Sequence, residues 1–273
     1  MSDIATQQQR PIVEQVMGAR TGLAAALADR IGVERFTRAA VTVLRTNKGL
    51  ANCSPESILG GLFVAAQLGL EIGGPLGYAH LVPYGREAQL IVGYKGFVEL
   101  FYRAGARAVT VDIVREGDTL TRSTVGGKVV IDWTDTDPLD STRKPVACLA
   151  TIVLPSGEVL SHLMTREQIL KRKPRTSRSG PWSDWEEEMW MKTTLRGAAR
   201  TVRLSSDDLA LAVTADQTIT VGHGDDATRT HVPVGELESA VEVVTVGELI
   251  DPAAPAADDP DYQEYLARLE TKP

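Results

Sequence analysis

Turn-forming residues divide the stretch 52–118 into short segments that alternate between helical and strand patterns. Residues 54–56 (Ser-Pro-Glu) place a hydroxyl cap, a proline and an acid where each favours the start of a helix. The apolar spacing that follows predicts a helix ending near Gly69. Gly60 and Gly61 weaken that helix and indicate close packing of another element.

Two β-hairpins are predicted from strand patterns on either side of short turns. The first pairs residues 76–84 with 89–92 around Gly85, and the second pairs 146–154 with 158–162 around Gly157. A further strand is predicted at 109–115, and helices are predicted at 12–29, 33–46, 97–104, 165–173 and 182–204. Residues 117–144 have the composition of a loop or a short hairpin region.

Length and composition indicate one domain of ordinary size with flexible appendages. The chain has 273 residues, of which 43% are hydrophobic, enough for a sizeable core. No apolar run is long enough to span a membrane, and the N-terminus lacks the pattern of a secretory signal. The two cysteines, Cys53 and Cys148, are far apart, which favours a reducing compartment over a disulfide or a structural zinc site.

Charge is distributed unevenly along the chain. Residues 222–273 contain twelve acids and three bases, a net charge of −9, so that the rest of the chain carries +2 against a total of −7. The predicted organisation is a disordered lead at 1–11, a single domain at 12–220 and an acidic flexible tail at 221–273. A short amphipathic segment at 262–269 is a candidate helix for binding a partner.

Basic residues recur on one side of the predicted helix 182–204. Lys192, Arg196, Arg200 and Arg203 fall within a stripe roughly 80° wide. Such a ridge can line a groove and contact phosphates. The alternative is that the acids at 186–188 and these later bases only complement the helix macrodipole.

A basic segment leads directly into this helix. Residues 171–180 read KRKPRTSRSG, which predicts an exposed loop containing Lys171 and Lys173. The two features together favour contact with phosphates over the macrodipole interpretation.

Aromatic and basic residues are interleaved around the first hairpin and the helix after it. The candidates for contact with a single strand are Arg86, Tyr94, Lys95 and Arg103, because bases stack on rings while cations meet the backbone. For the nearby phenylalanines a place in the core is the better interpretation. Tyr94 and Lys95 lie in a predicted turn whose flanking glycines allow another backbone to approach closely.

Catalytic motifs are absent from the sequence. It has no phosphate-binding loop of the form GxxxxGK[ST], no GxGxxG, no HExxH and no GxSxG. Asp112, Glu116 and Asp118 could suggest a two-metal nuclease, whereas their more ordinary role is that of solvated residues at strand ends and turns.

A series of short motifs runs through the chain in a distinctive order. Residues 52–118 contain NC, QLGLE, LGYA, LVPYG, QLIVGYKG and VREGD, and later come MTR, GPW, WEE and KT, followed by Arg196. This ordered string resembles the RecT family of phage recombinases over roughly residues 33–204. Residues 122–144 and everything after 220 match no motif of that family.

The resemblance implies a protein that binds single-stranded DNA and anneals it without ATP, through an annealed duplex intermediate. No cofactor, metal-ligating residue or catalytic residue is expected. It implies an α+β fold: N-terminal helices for protomer contacts and a central antiparallel sheet whose hairpins, flanked by helices, support a DNA groove. Lys95, Lys192 and Arg196 occupy motif positions and are expected to contact the DNA backbone, with Arg86, Arg103, Arg200 and Arg203 as weaker candidates.

The resemblance also implies an assembly and partners. The expected assembly is a homo-oligomeric ring or helical filament in the cytoplasm of a bacterial host cell. A phage 5′→3′ exonuclease and a host single-strand-binding protein are the expected protein partners, and the acidic tail either docks one of them or keeps the protein in solution. A metal-dependent nuclease and a passive single-strand coat protein remain the alternatives.

Overall fold

A computed structural model describes residues 11–28, 30–125, 128–173, 181–201 and 206–215. They belong to two compact units: described residues within 11–75 and 79–91 form the first, and those within 76–78 and 92–215 form the second. The predictions for the N-terminal lead, most of the basic segment after Lys173, Arg203 and the acidic tail lie outside the described residues.

The first unit is built from helices and one hairpin. Its elements are α1 (Ile12–Gly18), α2 (Arg20–Leu27), α3 (Val33–Thr46), α4 (Pro55–Gln67), β1 (Ala79–Tyr84) and β2 (Glu87–Val92), the last residue of which lies in the second unit. The single helix predicted at 12–29 is instead two, because the chain turns at Ala19 directly after Gly18. The antiparallel hairpin of β1 and β2 begins later than predicted, at Ala79.

Helix α4 begins as its sequence predicts. The Ser54 hydroxyl accepts a hydrogen bond from the Ser57 amide at 3.3 Å, and Pro55 occupies the first helical position. A Cβ atom at Gly61 would lie 2.7 Å from the Leu81 side chain of β1, whereas one at Gly60 would meet nothing within 4 Å. Close packing therefore explains Gly61 but not Gly60.

The second unit is a three-stranded antiparallel sheet with helices and a second hairpin. Its elements are α5 (Tyr94–Arg103), β3 (Ala108–Arg115), β4 (Thr119–Val125), β5 (Lys128–Thr134), β6 (Pro145–Val153), β7 (Val159–Thr165), α6 (Arg166–Leu170), α7 (Pro181–Asp184), α8 (Glu186–Ala199) and α9 (Asp207–Ala215). The strand order in the sheet is β3-β6-β7, and β4 and β5 form a separate two-stranded sheet. The prediction of an α+β fold with N-terminal helices and antiparallel hairpins is confirmed.

Alternation of side chains along the strands gives this sheet two different faces. On one face Cys148 and Met164 pack with Trp190 of α8. On the other, Leu149 packs with neighbours that include Trp133 of β5. The sheet is thus covered by a helix on one side and by the β4–β5 hairpin on the other.

The long helix predicted at 182–204 is interrupted. It divides into α7 and α8 at Trp185, whose backbone leaves the helical region, and α8 ends at Ala199. The predicted cap at Ser183 is wrong, because Ser183 lies inside α7, and the residue that caps α8, Trp185, makes no side-chain cap hydrogen bond. A true capping box occurs at Thr165 and Gln168, at the start of α6.

Both cysteines are buried free thiols, and burial raises the pKa of Cys148 to about 12. Among the described helices, none combines the length and the apolar character needed to cross a bilayer.

Candidate DNA-binding surface

Helix α8 carries the predicted basic stripe, but other elements cover more of the helix than that prediction assumed. It contacts α5, α9 and all three strands of the sheet, and Trp190 is only 1% exposed beneath the Arg166 guanidinium. Lys192 is buried, at 6% exposure, so it does not lie on an open ridge. Arg196 is half-buried, and Arg200, just after the helix, is exposed.

The structure brings a third arginine to this end of α8. After α6 the chain turns back, and the exposed Arg172 places one guanidinium nitrogen 3.0 Å from the Met164 sulfur on β7. Burial lowers the pKa of Arg172, and the positive charges of Arg196 and Arg200 lower it further. Arg172, Arg196 and Arg200 therefore form a group of like charges, called here the arginine cluster.

Arg172 was not among the predicted site residues. The sequence interpretation took Lys171 and Lys173 from the same segment because it is basic as a whole. The signal that could have found Arg172 is the helical pattern of 165–173, since it places Arg172 near the end of a helix that closely follows the strand predicted at 158–162.

The two predicted lysines of that segment are placed differently. Lys171 is exposed, and its ammonium group lies 2.8 Å from the Glu167 carboxylate. Lys173 is half-buried at the end of the described segment. Both lysines are sequence neighbours of Arg172, a member of the arginine cluster.

An open pocket lies beside the cluster. It is lined by His162, Leu163, Met164, Gln168, Lys171 and Arg172. The imidazole of His162 packs against α8, because a Cβ atom at Gly197 would lie only 2.5 Å from its Nε2 atom. Burial lowers the pKa of His162, and the charge of Arg172 lowers it further.

Tyr94 and Lys95 are the first two residues of α5, not members of a separate turn. Lys95 is exposed, with its ammonium group 5.9 Å from the centre of the Tyr94 ring. Cβ atoms at the adjacent glycines, Gly93 and Gly96, would collide with the backbone of residues 77–78. The expectation that these glycines allow a close backbone approach is confirmed.

The other two candidates have different surroundings. Arg103 forms an ion pair with Glu99 at 2.9 Å within α5. Arg86 is exposed in the turn between β1 and β2, where its carbonyl accepts a 2.7 Å hydrogen bond from the Ser54 amide. Arg86 belongs to the first unit.

Asp118, one of the three acids that could suggest a two-metal nuclease, has partners within the protein. The side chain of Asp118 is fully enclosed and accepts hydrogen bonds from Arg143, from the Trp133 indole and from two backbone amides. Burial alone would raise the pKa of Asp118, but these hydrogen bonds outweigh it and hold that pKa well below its usual range. Asp118 is therefore neither a solvated turn residue nor an open metal ligand.

Within the part of the chain that the structure describes, no three His, Cys, Asp or Glu side chains gather in a way that could hold a metal ion. Asp112, on β3, has a pKa raised mainly by burial. It lies at a different part of the strand from the turn that holds Asp118.

Comparison with known proteins agrees with the family resemblance seen in the sequence. The chain is similar to the protein RecT of Escherichia coli (strain K12), with 33% identity over 186 residues that cover 64% of this chain and 68% of that protein. It is also similar to an uncharacterised protein, YqaK, of Bacillus subtilis (strain 168), with 28% identity over 182 residues, 66% of this chain and 62% of that protein. The model of the RecT family matches residues 34–232, most of the sequence, and the chain therefore belongs to the RecT family.

Proposed function

We propose that this protein binds single-stranded DNA through the arginine cluster and anneals complementary strands without ATP. Membership of the RecT family supports a role in phage-type recombination by single-strand annealing. The observation that supports this choice of site is the open pocket lined by Lys171 and Arg172, together with the charges of Arg196 and Arg200 that lower the pKa of Arg172. Like charges held together at a surface are stabilised when an anion binds between them.

The chemistry of annealing requires grip on the strand but no bond cleavage. Arginine contacts to phosphates give affinity without sequence preference and leave the base edges available for pairing. Lys95 on α5 is proposed as a further backbone contact, with Tyr94, Arg86 and Arg103 in weaker roles. Lys192, being buried, is proposed to support the position of α8 instead of touching DNA.

Assembly and partners complete the proposal. Repeated contacts between copies of the chain, as a ring or helical filament, would align many protomers along one strand. The acidic tail is proposed to dock a phage exonuclease or a host single-strand-binding protein inside the bacterial cell.

The test mixes two complementary oligonucleotides, one carrying a fluorophore and the other a quencher, with purified full-length protein and no ATP. Pairing faster than in the protein-free control is expected, and pairing at the control rate would overturn the annealing assignment. Pairing slower than the control would instead identify a passive coat. Loss of full-length labelled DNA in the presence of Mg²⁺ would identify a nuclease.

A further inference from the structure

His162 of β7 lines the same pocket as Arg172 of the arginine cluster. The ring is half-buried, lines the pocket that contains Arg172, and contacts α8 at Gly197, the residue after Arg196. The absence of a side chain at Gly197 is what allows the helix to approach the imidazole so closely. His162 is thus fixed between a strand, a helix and the guanidinium of Arg172.

The charge that acts on His162 in the free protein is the positive charge of Arg172. The segment after α6 contributes Arg172 and Lys171, and Lys171 is already paired with Glu167. Arg196 of α8 and Arg200, just after that helix, act in turn on Arg172. Strand β6 places Ala150 opposite His162 and carries Cys148, whose thiol stays neutral because burial raises its pKa to about 12.

These surroundings favour the neutral form of the imidazole in the protein without DNA. Burial lowers the pKa of His162 below its ordinary value near 6.5, and the charge of Arg172 adds to the effect. A phosphate bound between the arginines would reverse this balance, because its negative charge favours the imidazolium and offsets the repulsion from Arg172.

We propose that His162 is a member of the phosphate-binding site and gains a proton when a DNA phosphate enters it. This rests on the proposed function, since it requires that DNA binds at the arginine cluster. Gln168, which lines the same pocket, offers an uncharged hydrogen-bonding group to the same phosphate.

Proton gain on binding links DNA affinity to pH. A group whose pKa is higher in the complex than in the free protein strengthens binding as pH falls, and one linked proton gives at most a tenfold gain per pH unit. We expect the affinity for DNA to rise about fivefold to tenfold more in the wild type than in His162→Gln between about pH 7.5 and pH 5.5.

The experiment measures the fluorescence anisotropy of a labelled thymidine oligonucleotide with full-length protein at several pH values and constant salt. His80→Gln is the matched control, because His80 is exposed and belongs to the other unit. The control should keep the pH dependence of the wild type, whereas His162→Gln should flatten it. An equal pH dependence in wild type and His162→Gln would overturn the inference.

A second measurement covers the case in which His162→Gln does not fold. Calorimetric titration of the wild type with the same oligonucleotide, in two buffers of different ionisation enthalpy near pH 6.5, counts the protons taken up on binding. Proton uptake near zero there would overturn the inference. If the wild type binds no oligonucleotide at any pH, the proposed function itself fails, a result distinct from binding that does not respond to pH.

Discussion

Two groups of charged residues in the second unit are built in opposite ways. Around Asp118, a buried carboxylate is met by Arg143, which also contacts Asp135 at 2.6 Å. We call Asp118, Trp133, Asp135 and Arg143 the Asp118 cluster. In the arginine cluster, the charges that act most strongly on Arg172 are those of two other arginines.

The difference separates a charge that supports the fold from the charges that we propose bind DNA. In the Asp118 cluster the favourable contacts are made within the chain. They connect the β4–β5 hairpin to the segment that follows the hairpin. In the arginine cluster like charges repel in the free protein, so an external anion relieves an unfavourable interaction. The first arrangement predicts effects on stability and the second predicts effects on DNA affinity.

The largest expected effect is on stability, from Asp118→Ala. It removes hydrogen bonds to an enclosed charged group and leaves the Trp133 indole without that acceptor, so we expect the free energy of unfolding to fall by about 2–4 kcal/mol. Urea denaturation followed by circular dichroism measures the change. Asp137→Ala is the matched control. Arg143 contacts the backbone carbonyl of Asp137, which alanine also has, so the unfolding free energy of this variant should stay within about 0.5 kcal/mol of the wild type. If the two variants lose equal stability, the Asp118 cluster is not a structural centre.

Gly197→Ala tests the contact on which the arginine cluster depends. The new methyl group would collide with His162, and such overpacking costs about 1–3 kcal/mol in unfolding free energy. DNA affinity should fall as well, because α8 and β7 must separate. Gly60→Ala is the control: it lies inside α4 with nothing nearby, and should stabilise the protein by up to about 1 kcal/mol. Similar results for the two variants in thermal unfolding would contradict the packing described for His162.

Arg172→Ala tests the other side of the comparison. We expect DNA affinity to fall about tenfold, equivalent to about 1.4 kcal/mol, while the unfolding free energy stays within about 0.5 kcal/mol of the wild type. The slope of log affinity against log salt should decrease by about 0.7, the contribution of one phosphate contact on a single strand. Arg122→Ala, on exposed strand β4, serves as a matched loss of one positive charge. An equal change of slope in both variants would mean that net charge, not the cluster, determines binding.

Much of the fold could be predicted from the sequence because the deciding interactions are local. Helix α3 spans the predicted residues 33–46, and the cap at Ser54 follows from neighbouring residues alone. The family resemblance was visible for a similar reason, since its motifs surround turns and element ends whose residue types are tightly constrained.

The candidate site was less predictable because distant packing determines it. Periodicity assigned one buried face to α8, but the helix is covered on most sides, and this coverage buries Lys192. Arg172 joins the cluster only because β7 and α8 come together in the folded chain. Asp118 was taken for a solvated residue because Arg143, its partner, is distant in sequence.

The smallest expected effect concerns acid stability. Because the pKa of Asp118 is lowered on folding, its carboxylate stabilises the protein fully above the unfolded pKa near 4, and this contribution is lost as pH falls below that value. In Asp118→Asn the unfolding free energy should therefore decline less steeply below about pH 4, by at most about 1.4 kcal/mol per pH unit. Urea denaturation at several acidic pH values compares the two slopes. Parallel slopes would mean that Asp118 keeps an ordinary pKa in the folded protein, and the contrast between the two clusters would then rest on the arginines alone.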